Sequence, residues 1–298
     1  MTRPLLILIG SAVAMFACVG LAVEDETTLF FGLRLPGSKP EIFAPGVVSS
    51  SDQVEMGCAA SPDGKEFYFC RSAPSGPDIA IWVVREKDGK LSAPRVVSFS
   101  GVYRDFNPFL TPDGKHMIFY RDSFKEAKTQ RGSWIVDRDG DSWGEPRYLL
   151  DEYCVSTHDF HTFYFNSEHH KAGNRDLEMR TYDKGAFSEP RYLKGSLNSE
   201  AFDAHGVISA DGSLMLFDSM RPGGYDKVDM YVSFRGGDGS WSDAHNLGES
   251  INKGHRQMPS LSHDGKYIFF SSEGDIWWVS ADIINQLKPP SDRSRGEK

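Results

Sequence analysis

His158 and His161 stand three residues apart around Asp159, a spacing that can chelate a metal ion. Residues 137–141 read Asp-Arg-Asp-Gly-Asp, like the opening of a calcium loop, although no Glu follows where such a loop needs one. Glu55, Asp105 and Asp203 supply carboxylates from which an acid–base pair of the glycoside-hydrolysing kind could be drawn. Arg71, Arg121 and Arg221 carry planar guanidinium forks that grip carboxylates in two-point fashion. His205, His255, Arg256 and Gln257 add imidazole, guanidinium and amide groups. Cys58 and Cys70 flank a Pro-Asp-Gly turn; they would meet across a hairpin as a disulfide or lie apart as two buried thiols. There is no nucleophile elbow, no Gly-rich phosphate loop and no dense His/Cys cluster.

Which of these groups meet depends on the elements that carry them, and those elements repeat. SPDGKEFYF at 61–69 returns as TPDGKHMIF at 111–119 and SHDGKYIFF at 262–270, with ISADGSLMLF at 208–217 as a further copy. CAASPDGKEFYFC at 58–70 overlays CVSTHDFHTFYFN at 154–166 without a gap, which puts His158 and His161 inside a turn. The turn aspartates are therefore Asp63, Asp113, Asp159, Asp211 and Asp264, about fifty residues apart.

Each unit reads as four strands. An apolar strand enters the Asp-Gly turn, and a second strand rich in Phe and Tyr leaves it. A variable loop reaches a third strand opened by Asp78, Asp176, Asp229 or Asp275. A Gly-containing turn then leads to LSAP at 91, WGEP at 143, FSEP at 187 or WSDA at 241, and on to the fourth strand. The Asp-Arg-Asp-Gly-Asp run occupies that last turn in its unit, so it reads as a hairpin turn. Aromatic and β-branched runs bounded by Gly, Pro and Asp, without helical periodicity, indicate an all-β chain. Five such units describe a five-bladed β-propeller; a six-bladed ring would need one degenerate blade. The fifth unit lacks a fourth strand, and KPEIFAPG at 39–46 matches the fourth-strand pattern EPRYLKG at 189–195. The N-terminal strand is thus expected to complete the last blade.

The Ser-Pro-Asp-Gly turns and DSMRPGGYDKVDMYVS at 218–233 resemble the TolB-like propeller repeats, relatives of the WD-repeat propellers. GDIWWVSADIINQLK at 274–288 is similar to the C-terminal end of exported bacterial members. The likeness covers residues 40–287 and implies fold more than function, because propellers serve both as binding modules and as enzymes. Oligogalacturonate lyases are similar propellers that hold a metal ion with His and Gln. That resemblance implies His205, His255 and Gln257 as a metal set, His169 and His170 as further candidates, and a polysaccharide-degrading enzyme as the alternative function.

In an antiparallel blade the Asp-Gly turns share one face of the disc with the last turn. The second-to-third loops and the interblade connections share the other. The regular turns read as structural, with Asp bonding its own backbone and Gly at positive φ. Function is expected on the irregular face. The expected ligand-binding set is Glu55, Arg71, Asp105, Arg121, Asp203, His205, Arg221, His255, Arg256 and Gln257, with Asp122 and Tyr225 nearby. These groups suit a protein, peptide or glycan partner; the arginines would alternatively pair with carboxylates of neighbouring blades and hold the ring. No cofactor is expected for a binding module, and one divalent ion for the enzyme.

Residues 1–22 read as a secretory leader, with Cys18 as an alternative site of lipid attachment. Residues 23–38 read as a linker and 288–298 as a disordered tail. An exported, periplasmic or secreted protein follows, without a membrane span after processing. Net charge is −9, which disfavours nucleic acid as a partner. A ring closed by its own N-terminus has no evident need to oligomerise.

Overall fold

The computed structural model describes residues 29–72, 79–123, 129–167 and 175–289. The leader with Cys18, Asp78, the His169–His170 pair and the tail from residue 290 lie outside the described residues. Among these residues no helix is long and apolar enough to cross a membrane.

Five antiparallel sheets follow one another along the chain as the blades of a propeller. Blade one runs Met56–Ala60, Glu66–Ser72, Ile79–Lys87 and Arg95–Val96. Blade two runs Arg104–Leu110, His116–Asp122, Gly132–Asp139 and Arg147–Leu150. Blade three runs Tyr153–Thr157, Thr162–Ser167, Asp176–Asp183 and Arg191–Tyr192. Blade four runs Asp203–Ile208, Leu214–Ser219, Asp229–Phe234 and His245–Asn246. Blade five takes Gln257–Leu261, Tyr267–Ser272 and Asp275–Ser280, and its outer strand is Glu41–Ile42 from the N-terminus. Ile42 pairs with Trp277 and Glu41 with Trp278, so the expected closure is present.

The aromatic runs follow from burial on both faces. Successive side chains of a strand point to opposite sides, and inner blade strands have a neighbouring blade on each side. Phe67 and Phe69 enter the core between blades five and one, whereas Tyr68 and Cys70 enter the core between blades one and two. Each of the five junctions has a core of this kind. At the closing junction Phe43 lies 4.3 Å from Phe67, 5.3 Å from Phe269 and 5.1 Å from Trp278, between ring centroids.

The same alternation corrects the disulfide expectation. Cys58 pairs in register with Phe69, and Cys70 with Met56, so the two sulfurs face different cores. Cys58, Cys70 and Cys154 are all buried free thiols. The stretch read as a linker also contains structure: Leu29–Phe30 and Leu33–Arg34 form a hairpin. Phe30 and Phe31 pack it against Tyr267 and Phe67. Gly32 sits at φ +70° with the Gly89 carbonyl where a Cβ would go, so only glycine fits there.

The turn aspartates bond as expected. Asp63 Oδ1 accepts the Ser61 hydroxyl at 2.6 Å and the Lys65 N–H at 3.1 Å, and Asp113, Asp211 and Asp264 repeat the arrangement. In blade three Phe160 stands where the others have glycine and itself adopts φ +55°. His158 and His161 do not converge. His158 packs over Gly212 of blade four, while His161 Nδ1 meets the Tyr182 carbonyl oxygen at 2.9 Å.

Candidate functional site

The expected binding residues divide into two groups, and the larger one is built into the ring. Arg71 Nε donates to Glu55 at 2.8 Å, Arg121 Nε to Asp105 at 2.7 Å and Arg221 Nη2 to Asp203 at 2.7 Å. All three carboxylate side chains are fully buried. Each arginine also reaches carbonyl oxygens of the connection arriving from the previous blade: Val47 and Val48, Phe99, or Ser196 and Leu197. The carboxylate thus belongs to the arginine's own blade, and the tie to the neighbour runs through the backbone.

An aromatic pair completes each socket. Arg71 lies over Phe69 and Trp82, Arg121 over Phe119 and Trp134, and Arg221 over Phe217 and Tyr231, at 4.8–5.5 Å. In blade five Arg256 replaces the carboxylate itself. It stacks over Phe270 and Trp277 and donates to the Ile251 and Lys253 carbonyls. In blade three the cation comes from the third strand: Arg180 lies over Phe165 and pairs with Glu152 and Glu178. Arg180, Glu152 and the third-strand aromatics were not among the sequence-based candidates. Arg71 and Arg121 each follow the last Phe of a second strand by two residues, but Arg180 lies on a third strand and does not share that spacing, so the sequence carried no common signal for it.

Of the expected residues, His205 faces the central channel, together with residues that were not expected there. Gly57, Asn107, His205 and Met258 each lie within the first four residues of an innermost strand and have positive φ, between 46° and 54°. For the non-glycine members this conformation costs roughly 1–2 kcal/mol. It turns each N–H toward the preceding blade, onto Ser271 Oγ, Cys70 Sγ, Asn166 Oδ1 and Asp218 Oδ2 respectively. His205 Nδ1 meets Asp218 Oδ2 at 2.7 Å; with its proton donated there, Nε2 is left as the acceptor. His205 shares a cavity of about 30 Å³ with Asn107, Tyr153 and Met258. Among the described residues seven buried side-chain polar atoms lack a partner, and Asn107 Oδ1, Tyr153 OH, Asn166 Nδ2 and Asp218 Oδ1 all belong to this level of the channel. The space suffices for a water molecule or two.

The proposed metal set is not assembled around His205. The residues that blade five contributes to its cavity are Met258, Pro259 and Ser260, not His255 or Gln257. Among the described residues no group of three or more His, Cys, Asp or Glu side chains is placed to hold a metal ion. The Asp-Arg-Asp-Gly-Asp run forms a hairpin turn, with Arg138 paired to Trp143 and Asp139 to Ser142.

The two faces of the disc differ in what they show to solvent. Strongly exposed large apolar side chains among the described residues are Val54 (53 %), Val102 (67 %), Met220 (39 %) and Tyr225 (55 %). Val54 and Val102 lie in interblade connections and Met220 and Tyr225 in a second-to-third loop, so all four are on the irregular face. Asp229 holds that loop in place by accepting the Tyr225 and Asp226 N–H groups at 2.7 and 3.0 Å.

Solved structures resemble this ring at low sequence identity. The putative TolB from Agrobacterium tumefaciens superposes with a TM-score of 0.50 and 18% identity, over 78% of this chain and 79% of that one. The fold is that of a TolB-like β-propeller. TolB from Acinetobacter baumannii gives a TM-score of 0.49 and 19% identity, over 78% of this chain; the chain spans about half, 53%, of that protein. A gluconolactonase from Xanthomonas campestris gives 0.45 and 11%, over 83% of this chain and 96% of that one. No family model matches the sequence, and no curated protein matches it. Likenesses at this level of identity show the fold alone, and the site residues carry the functional reading.

Proposed function

We propose that this TolB-like propeller is an exported binding module that docks a protein or peptide partner on its irregular face. One observation carries the reading: every strongly exposed large apolar side chain among the described residues lies on that face, while the opposite one is closed by self-bonded turns. Exposed apolar groups beside polar loops are what an interface buries. The buried Arg–carboxylate sockets supply rigidity, so contact falls to the exposed residues around them, Val102, Met220 and Tyr225 first. The apolar leader supports export. No cofactor enters this reading.

Photo-crosslinking tests it. A photoreactive side chain at Val102 or Tyr225 in the native host is expected to give a discrete adduct with one partner, and the same group at Lys65 or Asp238 on the turn face none. Adducts confined to the turn-face positions would overturn the assignment.

A further inference from the structure

The connection that leads from the closing strand into blade one borders a cleft of about 880 Å³ on the irregular face, lined by Val47, Ser50, Asp52, Val54, Trp82 and Pro94. The connection is fixed from within. The Gly46 N–H donates to the Ser49 carbonyl at 2.7 Å, and the Ser50 N–H and hydroxyl both donate to the Glu55 carboxylate at 3.3 Å. Trp82 occupies the third-strand position that Trp134 and Trp277 hold in blades two and five. Those two indoles donate to the Gln130 and Ser272 carbonyls at 3.1 Å, whereas the Trp82 N–H is buried without a partner. Arg71 lies 5.5 Å over the Trp82 ring and is itself bound to Glu55 and to the Val47 and Val48 carbonyls. Arg71 and Asp52 are the charged side chains at the cleft, so its open charge is the exposed Asp52 carboxylate, which has no ion pair among the described residues. The adjoining turn of blade five adds Glu273 and Asp275 on either side of Gly274, whose carbonyl accepts the Glu55 N–H at 2.7 Å. Val54, 53 % exposed, stands at the cleft.

We propose that this cleft receives an extended basic peptide segment of the partner, with a lysine or arginine side chain on Asp52 and a backbone carbonyl on the Trp82 N–H. The inference deepens the docking reading above and rests on it. The cleft presents one carboxylate that lacks a cation and one indole N–H that lacks an acceptor, and a peptide bearing a basic side chain supplies both. The Trp82 N–H, closed to water in the free protein, gains its first hydrogen bond when the segment seats. The aliphatic stem of the basic side chain lies along Val54 and Pro94. The volume falls within the range of ligand pockets, which suits a few residues of chain. With Arg71 over one face of a half-buried ring, Trp82 offers its N–H more than a surface for stacking, which favours a peptide carbonyl over a sugar.

The test uses the purified protein with its tryptophan indoles labelled with heavy nitrogen, and three probes: acetyl-Ala-Leu-Lys-Leu-Ala-amide, the same peptide with Glu in place of Lys, and maltotriose. The lysine peptide is expected to move the indole resonance that Trp82→Phe removes and to leave those of Trp134 and Trp277 in place. By calorimetry, the Glu peptide should bind more weakly, and Asp52→Asn should weaken the lysine peptide about fivefold, the upper end for one surface ion pair. Trp82→Phe keeps the ring without the N–H and should weaken it about fivefold as well, the size of one hydrogen bond; Asp52→Asn, an exposed change, serves should that variant misfold. Equal binding of the two peptides, tighter binding of maltotriose, an unmoved Trp82 resonance or indifference of folded Asp52→Asn would overturn the inference. If it fails in any of these ways while crosslinks at Val102 and Tyr225 persist, the cleft assignment falls and the docking reading survives.

Discussion

At the scale of the residue, a group's chemistry was readable before its neighbourhood was. Arg71 and Arg121 stood out as equivalent positions, yet their partners are the carboxylates sixteen residues upstream in the same blade, Glu55 and Asp105. That constant separation was present in the sequence. Its meaning required knowing that the start of strand one lies opposite the end of strand two. Cys58 and Cys70 show the converse, because symmetric flanking of a turn suggested contact while side-chain alternation sent them into different cores. The sockets predict a stability effect. Asp105→Ala leaves Arg121 buried and without its carboxylate, a class of change that costs about 3–5 kcal/mol. Urea unfolding should show a loss of that size. A change below about 1 kcal/mol would mean that carbonyl and ring contacts alone hold the guanidinium.

At the scale of the element, the turns and inner strands were legible because each repeats its own chemistry. The terminal hairpin at residues 29–34 was not, since it has no sibling in the chain and borrows its core from blades one and five. The turns also set the acid response. Burial raises the carboxyl pKa of Asp63, Asp113, Asp159, Asp211 and Asp264, but hydroxyl and backbone donors outweigh it and leave all five below the usual range. A carboxylate depressed in the fold adds stability above its unfolded pKa, near 3.9, and loses it as pH falls through the folded value. Glu55, Glu152 and Asp275, raised by burial, act in the opposite sense. The melting temperature should therefore fall below about pH 4, and Asp113→Asn, which keeps the acceptor oxygen without the charge, should flatten that fall. A decline already under way at pH 6 would point to histidine instead.

At the scale of the whole molecule, five junction cores and a borrowed outer strand make one closed ring, and the ring fixes which face can vary. The irregular face was expected to carry function, and the structure separates its candidate residues by burial. Charged side chains that looked available, Glu55, Asp105 and Asp203, are consumed in building the ring, whereas Val102 and Tyr225, which carry little chemistry of their own, are exposed. Burial is a property of the assembled disc and leaves no local mark on a single charged residue. The most direct test is partner recovery from the native host with Val102→Ser and Tyr225→Ser combined, compared with Asp238→Ser on the turn face. Recovery should fall at least tenfold for the double variant alone, with melting temperatures unchanged, since exposed substitutions are usually within about 0.5 kcal/mol. Undiminished recovery by a folded double variant would contradict the placement of the docking surface.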